Sequence, residues 1–141
     1  MDGLTGGDEV AAGGRYRIRV AGPVGTARNA GRLTLRSHIY PIRGRHADRG
    51  GVVTRAGYDP VLYGNIVIIR GSRTRRDYWY AHLLAPSPLQ TGDRVTTGQR
   101  IGRVGATGNA RTIGCHLHLE IRSRGVPIDP APELHEWDAW S

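Results

Sequence analysis

Lysine and phenylalanine are absent from this 141-residue chain, and its 20 basic residues are all arginine. Such a choice reads as the coding bias of a GC-rich genome and carries little chemistry of its own. There is one cysteine, Cys115, which excludes an internal disulfide and a metal site built from thiolates. Any metal chemistry must come from other side chains. No run is long and apolar enough to span a membrane. The first eight residues, Met1 to Asp8, lack the basic region and apolar stretch of a secretory signal.

What is present is a strong positive charge, with 12 acidic residues leaving a net +8. Such a surface attracts polyanions, and nucleic acid and the anionic polymers of a bacterial wall both qualify. Charge alone does not choose between them. Arg73, Arg75 and Arg76 cluster without interleaved aromatics or a nucleic-acid motif, so a solvated loop is expected there and nucleic acid is not the expected partner. The length suits one domain with a real core.

Residues 1–14 are rich in glycine and poor in apolar groups, the composition of a flexible leader. Apolar and arginine residues alternate from Tyr16 to Val20 and again around Leu33 and Leu35, which predicts a hairpin over 15–37, the remnant of a preceding module or a flap on the main domain. From 38 to 141 short strand patterns follow: Gly51 to Ala56, Asn65 to Arg70, Asp77 to Leu83, Arg94 to Thr96, Arg100 to Val104 and His116 to Arg122. Turn residues such as Asp59-Pro60, Gly71-Ser72 and Thr107-Gly108 separate them, and no helical period intervenes. The expected fold is all-β, an antiparallel sheet. The tail with Leu134, Trp137 and Trp140 is expected to pack as a turn or short helix.

The most informative segment is Gly114-Cys115-His116-Leu117-His118-Leu119-Glu120. Strand side chains alternate faces, so His116, His118 and Glu120 share one face while Cys115, Leu117 and Leu119 share the other. The cysteine therefore reads as a small core residue. Two imidazoles on one strand face point modestly to metal binding or catalysis over a structural role. A third, in Tyr80-Ala81-His82-Leu83, lies on another predicted strand, where alternation puts Tyr80 and His82 on one face. Alone, His82 would be a surface or hydrogen-bonded histidine.

The ordered string Val61-Leu62-Tyr63-Gly64-Asn65, Tyr80-Ala81-His82-Leu83, Gly92-Asp93-Arg94-Val95 with Gly98-Gln99, Gly105-Ala106-Thr107-Gly108 and His116-Leu117-His118 resembles the lysostaphin-like zinc metallopeptidases over roughly residues 40 to 135. The resemblance implies a half-open barrel with a groove, cleavage of cell-wall peptide bonds, peptidoglycan as partner and a place outside the cytoplasm. It implies zinc as cofactor, His118 as a metal ligand, and His82 and His116 as the catalytic residues that handle the water and the oxyanion. The glycine-aspartate hairpin also occurs in biotinyl and lipoyl carriers, which need a lysine this chain lacks.

One element of the family pattern is missing. Four residues after His38, His46, His82, His116 and His135 stand Ile42, Gly50, Pro86, Glu120 and Ala139, so the family's His-x-x-x-Asp motif is absent. Tyr40 to His46 runs almost directly into Gly51 to Gly57, as an internal deletion would leave it. His118 is then the sole inherited ligand, where catalytic zinc takes three from the protein. His46 and Asp48 have ligand chemistry, but their spacing of two differs from the family's four. Two functions follow: a peptidoglycan endopeptidase with an incomplete metal site, or an inactive wall-binding or regulatory module.

Overall fold

The computed structural model describes residues 14–21, 27–35, 38–39, 50–96, 99–130 and 132–133, the first three segments as backbone. The short alternating runs become ten strands among these residues. They are β1 (Gly14–Ala21), β2 (Ala27–Leu35), β3 (His38–Ile39), β4 (Gly50–Asp59), β5 (Gly64–Gly71), β6 (Asp77–Leu83), β7 (Arg94–Thr96), β8 (Gly102–Arg103), β9 (His118–Ser123) and β10 (Val126–Ile128). The main sheet runs β2-β1-β9-β6-β5-β4-β7, with β10 also on β9, and β3 pairs β8 apart from it. The sheet is not closed. All its pairings are antiparallel except β1 against β9, where Arg19 lies at the register position of His118.

Two expected strands shorten. The stretch Arg100 to Val104 keeps only β8, and His116 precedes β9 as an isolated bridge to Gly105. The chain reaches that bridge from Gly114, whose φ of +100° makes a turn there. Most of the leader and the tail with Leu134, Trp137 and Trp140 lie outside the described residues, as do His46 and Asp48.

The central strand β5 is buried along nearly its whole length because both of its faces are covered. On one face Val67 and Ile69 pack with Tyr78, Tyr80, Leu119, Ile121, Val53 and Val95 in the main core. On the other, Ile66, Ile68 and Ala81 make a smaller apolar floor under Tyr63 and Trp79. Leu117, Leu119 and Cys115 turn to the core side and are buried. Full burial of one such aliphatic side chain stabilises by about 1.5–3 kcal/mol.

Alternation fails at one point that matters. Tyr80 lies in the main core, yet His82 sits beside the histidines of the opposite face. Between the pairs Val67↔Tyr80 and Asn65↔Leu83 the register shifts, so Ala81 and His82 together oppose Ile66. The extra residue takes φ of +61° at His82, a left-handed conformation rare for a side-chain-bearing residue. This β-bulge turns the imidazole to the face that strict alternation denies it.

The turn between β4 and β5 is fastened by Asp59, whose Oδ1 accepts the N–H groups of Val61 at 3.0 Å and Leu62 at 2.8 Å. The Leu62 bond above all holds the Asp59 carboxyl below its usual range. A lowered value means that the carboxylate supports the fold at neutral pH and loses that effect as acid protonates it. Asp59→Ala is expected to speed amide hydrogen exchange at Val61 and Leu62 while leaving Val67 and Ile69 protected. Unchanged exchange in the turn would show that the aspartate does not hold it.

Candidate functional site

β9 presents His118, Glu120 and Arg122 on the apolar-floor side of the sheet, directly opposite Ala81, Trp79 and Asp77 of β6. The bridge to Gly105 brings His116 alongside, and the bulge in β6 adds His82. Ring centroids of His82 and His116 are 4.9 Å apart, and those of His82 and His118 are 5.6 Å apart at nearly right angles. The structure thus gathers the three histidines singled out in the sequence, from two strands and the loop before one of them. His82 and His116 are buried and His118 is partly so.

Backbone acceptors fix two of the rings. The Nδ1 of His82 lies 2.8 Å from the Thr107 carbonyl, and that of His116 lies 2.9 Å from the Gly114 carbonyl. A carbonyl can only accept, so each Nδ1 carries the hydrogen and each Nε2 the lone pair in the neutral ring. Thr107 is itself held, donating from Oγ1 to the Leu83 carbonyl at 2.8 Å and accepting the Asn65 N–H at 3.0 Å. This is the physical work of the Thr107-Gly108 motif: it clamps the β4–β5 turn to the loop that orients His82.

Four further side chains complete the face, none of which the sequence reading assigned a role. Tyr63 meets His118 edge-on at 5.7 Å and Trp79 at 5.4 Å. Burial and the nearby Glu120 charge push the Tyr63 hydroxyl up, so it stays protonated and can donate. The Arg122 guanidinium lies 4.1 Å over the Trp79 ring and donates to Glu120. Burial by itself would raise the Glu120 carboxyl, but His118 and Arg122 outweigh it and hold the group below its usual range. His118 Nε2 stands 3.6 Å from Glu120 Oε2, longer than a hydrogen bond, and has no hydrogen-bond partner among the described residues. Of these four, Glu120 was visible as a face-mate of His118, and Tyr63 lay in a recognised motif; Trp79 and Arg122 gave no separate signal.

The zinc that the resemblance implies requires three protein ligands around an open position. Among the described residues no group of three His, Cys, Asp or Glu side chains comes together to hold a metal. Glu120 is engaged by Arg122. His118, the ligand that the resemblance implies, is among the described residues, which do not complete a zinc site. β3 places His38 beside Arg103, while His46 and Asp48 lie outside the described residues.

Comparison with known proteins agrees with this fold. The chain is 40% identical over 104 residues to the DD-carboxypeptidase/endopeptidase Mpg of Neisseria meningitidis serogroup B, covering 70% of this chain and 22% of that protein. It is 41% identical over 80 residues to the peptidoglycan DD-endopeptidase ShyC of Vibrio cholerae serotype O1, covering 57% of this chain and 17% of that one. It therefore spans about a fifth of the length of these relatives. The catalytic domain of lysostaphin from Staphylococcus simulans superposes with a TM-score of 0.59 at 24% identity, over 87% of this chain and 92% of that one, which shows the shared fold. The profile of peptidase family M23 matches residues 44–130, and the chain belongs to that family.

Proposed function

We propose that this domain is directed at the peptides of the bacterial cell wall and is of zinc endopeptidase type. The observation that carries the reading is the convergence of His82, His116 and His118 on one face, over a floor of Ile66, Ile68 and Ala81. Two of the rings present Nε2 as an acceptor, the form able to take a proton from water or hold a peptide N–H. The Tyr63 hydroxyl is the donor on the same face. Support for the wall as target comes from relatives named as endopeptidases, one of them a peptidoglycan DD-endopeptidase, and the place of action is then the cell envelope.

The absent His-x-x-x-Asp motif favours a second reading of the same groove, in which it holds a wall peptide without cutting it. One imidazole does not retain zinc where three ligands are the norm. No hydrolytic step is assigned to the described residues.

One set of measurements tests both readings. The full chain, supplied with zinc, is assayed for bound metal, for cleavage of cell-wall peptides, and for capture by insoluble peptidoglycan with and without chelator. His118→Ala is the control. The binding reading expects capture that survives the chelator and less than one zinc per chain. Stoichiometric zinc with cleavage lost in His118→Ala establishes the peptidase and places the missing ligands outside the described residues. Neither capture nor cleavage removes the wall as target.

A further inference from the structure

Glu120 is 3% exposed, an acid buried in the middle of the groove face. A buried carboxylate is costly unless its oxygens are engaged. One oxygen is: Arg122 donates to Oε1. The other, Oε2, looks at His118 Nε2 from 3.6 Å, just beyond hydrogen-bond length, and that nitrogen is, with Trp79 Nε1, one of two buried side-chain nitrogens without a hydrogen-bond partner among the described residues. Arg122 lies flat on Trp79, Trp79 meets Tyr63, and Tyr63 meets His118, so the five side chains form a closed circuit of contacts. The Glu120 carboxylate and the His118 ring are within ion-pair distance of each other.

We propose that Glu120 is the positioning residue of His118: seated by Arg122 on the Trp79 face, it fixes the ring as the Nε2–H tautomer and leaves Nδ1 as the acceptor nitrogen. A carboxylate only accepts, so the hydrogen of the His118 ring belongs on the nitrogen facing it. His118 is thereby set opposite to His82 and His116, whose hydrogens sit on Nδ1 toward backbone carbonyls. All three rings turn their hydrogens into the protein. Orientation of a ligand histidine by a carboxylate on its second nitrogen is a general device. The role of His118 in the groove rests on the function proposed above, whereas its tautomer does not.

Glu120→Gln is the decisive variant, because Arg122 still claims the side-chain oxygen and the amide nitrogen is left facing His118. That NH2 group donates, so the tautomer inverts: His118 Nε2 becomes the acceptor and Nδ1 takes the hydrogen. Long-range proton–nitrogen NMR spectra of the ring nitrogens, recorded on the full chain without metal or peptide, read this directly. The wild-type ratio is expected to favour Nε2–H by about tenfold, equivalent to about 1.4 kcal/mol. Glu120→Gln is expected to reverse the ratio, and Glu120→Ala to relax it toward that of a solvated imidazole. His82 and His116 serve as internal references and keep Nδ1–H throughout.

Wild-type His118 found with its hydrogen on Nδ1, or Glu120→Gln with the wild-type tautomer, overturns the proposal. An acid that served only to pair with Arg122 would leave the His118 ratio unchanged. The spectra are independent of wall-peptide capture, so failure of the positioning role and failure of the proposed function are told apart. Backbone spectra of Val67 and Ile121 confirm that each variant is folded.

Discussion

Gly64→Val is expected to be the most damaging single substitution in the turn region, at about 2–5 kcal/mol. Gly64 has φ of +62°, and a Cβ there would lie 2.4 Å from the Thr107 carbonyl carbon and 2.5 Å from the Gly108 nitrogen. A left-handed residue with a side chain costs about 1–2 kcal/mol. Forcing side-chain volume into a packed contact adds about 1–3 kcal/mol. The two loops can separate only by breaking the Asn65 N–H bond to Thr107 and the Asn109 N–H bond to the Leu62 carbonyl. Urea unfolding measures the loss. Gly57→Ala is the control, since nothing lies within 4 Å of a Cβ built there and its expected change is within about 1 kcal/mol. A Gly64→Val domain as stable as wild type would show that the close approach of the loops is not needed.

The same substitution should also loosen the groove, because Thr107 is both the clamp on Gly64 and the acceptor for His82. Fold and site are joined at this contact, and it explains why glycine recurs at 64 and 108. Gly108, with φ of +69°, would place a Cβ 2.4 Å from the Gly64 nitrogen. Each glycine makes room for the other's backbone.

Alternation read most of this architecture from the chain because period two is a local property of a strand. It placed Leu117 and Leu119 in the core and Cys115 among the buried residues, with His116, His118 and Glu120 turned the other way. The all-β sheet followed from the turn residues between short runs. Where the reading failed, the cause was non-local. The side-chain direction of His82 depends on one extra residue in β6 relative to β5, which no pattern within Tyr80 to Leu83 reveals. Trp79 and Arg122 meet only because β6 and β9 are neighbours in the sheet, although about forty residues of chain separate them. The parallel docking of β1 on β9 joins the two ends of the described chain. The absence of a His-x-x-x-Asp string, by contrast, is a plain property of the sequence.

His82 provides the sharpest separation of strain from function. Its φ of +61° is a cost that the local structure must carry, and backbone outliers of this kind persist where the surroundings over-determine them. Two bonds and the strand ladder do so here: the His82 N–H to the Tyr63 carbonyl at 2.8 Å, the ring to Thr107 at 2.8 Å, and the pairing of β6 with β5 on either side. His82→Ala removes the ring bond, leaving the Thr107 carbonyl without that donor, and keeps the strain, for an expected loss of about 1–3 kcal/mol. His82→Gly removes the same bond but adopts a positive φ freely, so it should be more stable than His82→Ala by about 1 kcal/mol. The usual order, in which glycine is the weaker residue within a strand, is then reversed. Both variants are expected to lose capture by peptidoglycan, because both lack the imidazole that the bulge directs into the groove. Denaturation midpoints and pull-down with the same two proteins supply the comparison. An alanine variant at least as stable as the glycine variant would mean that the bulge stores no strain at His82. Capture retained by both would take His82 out of the binding face while leaving the bulge intact.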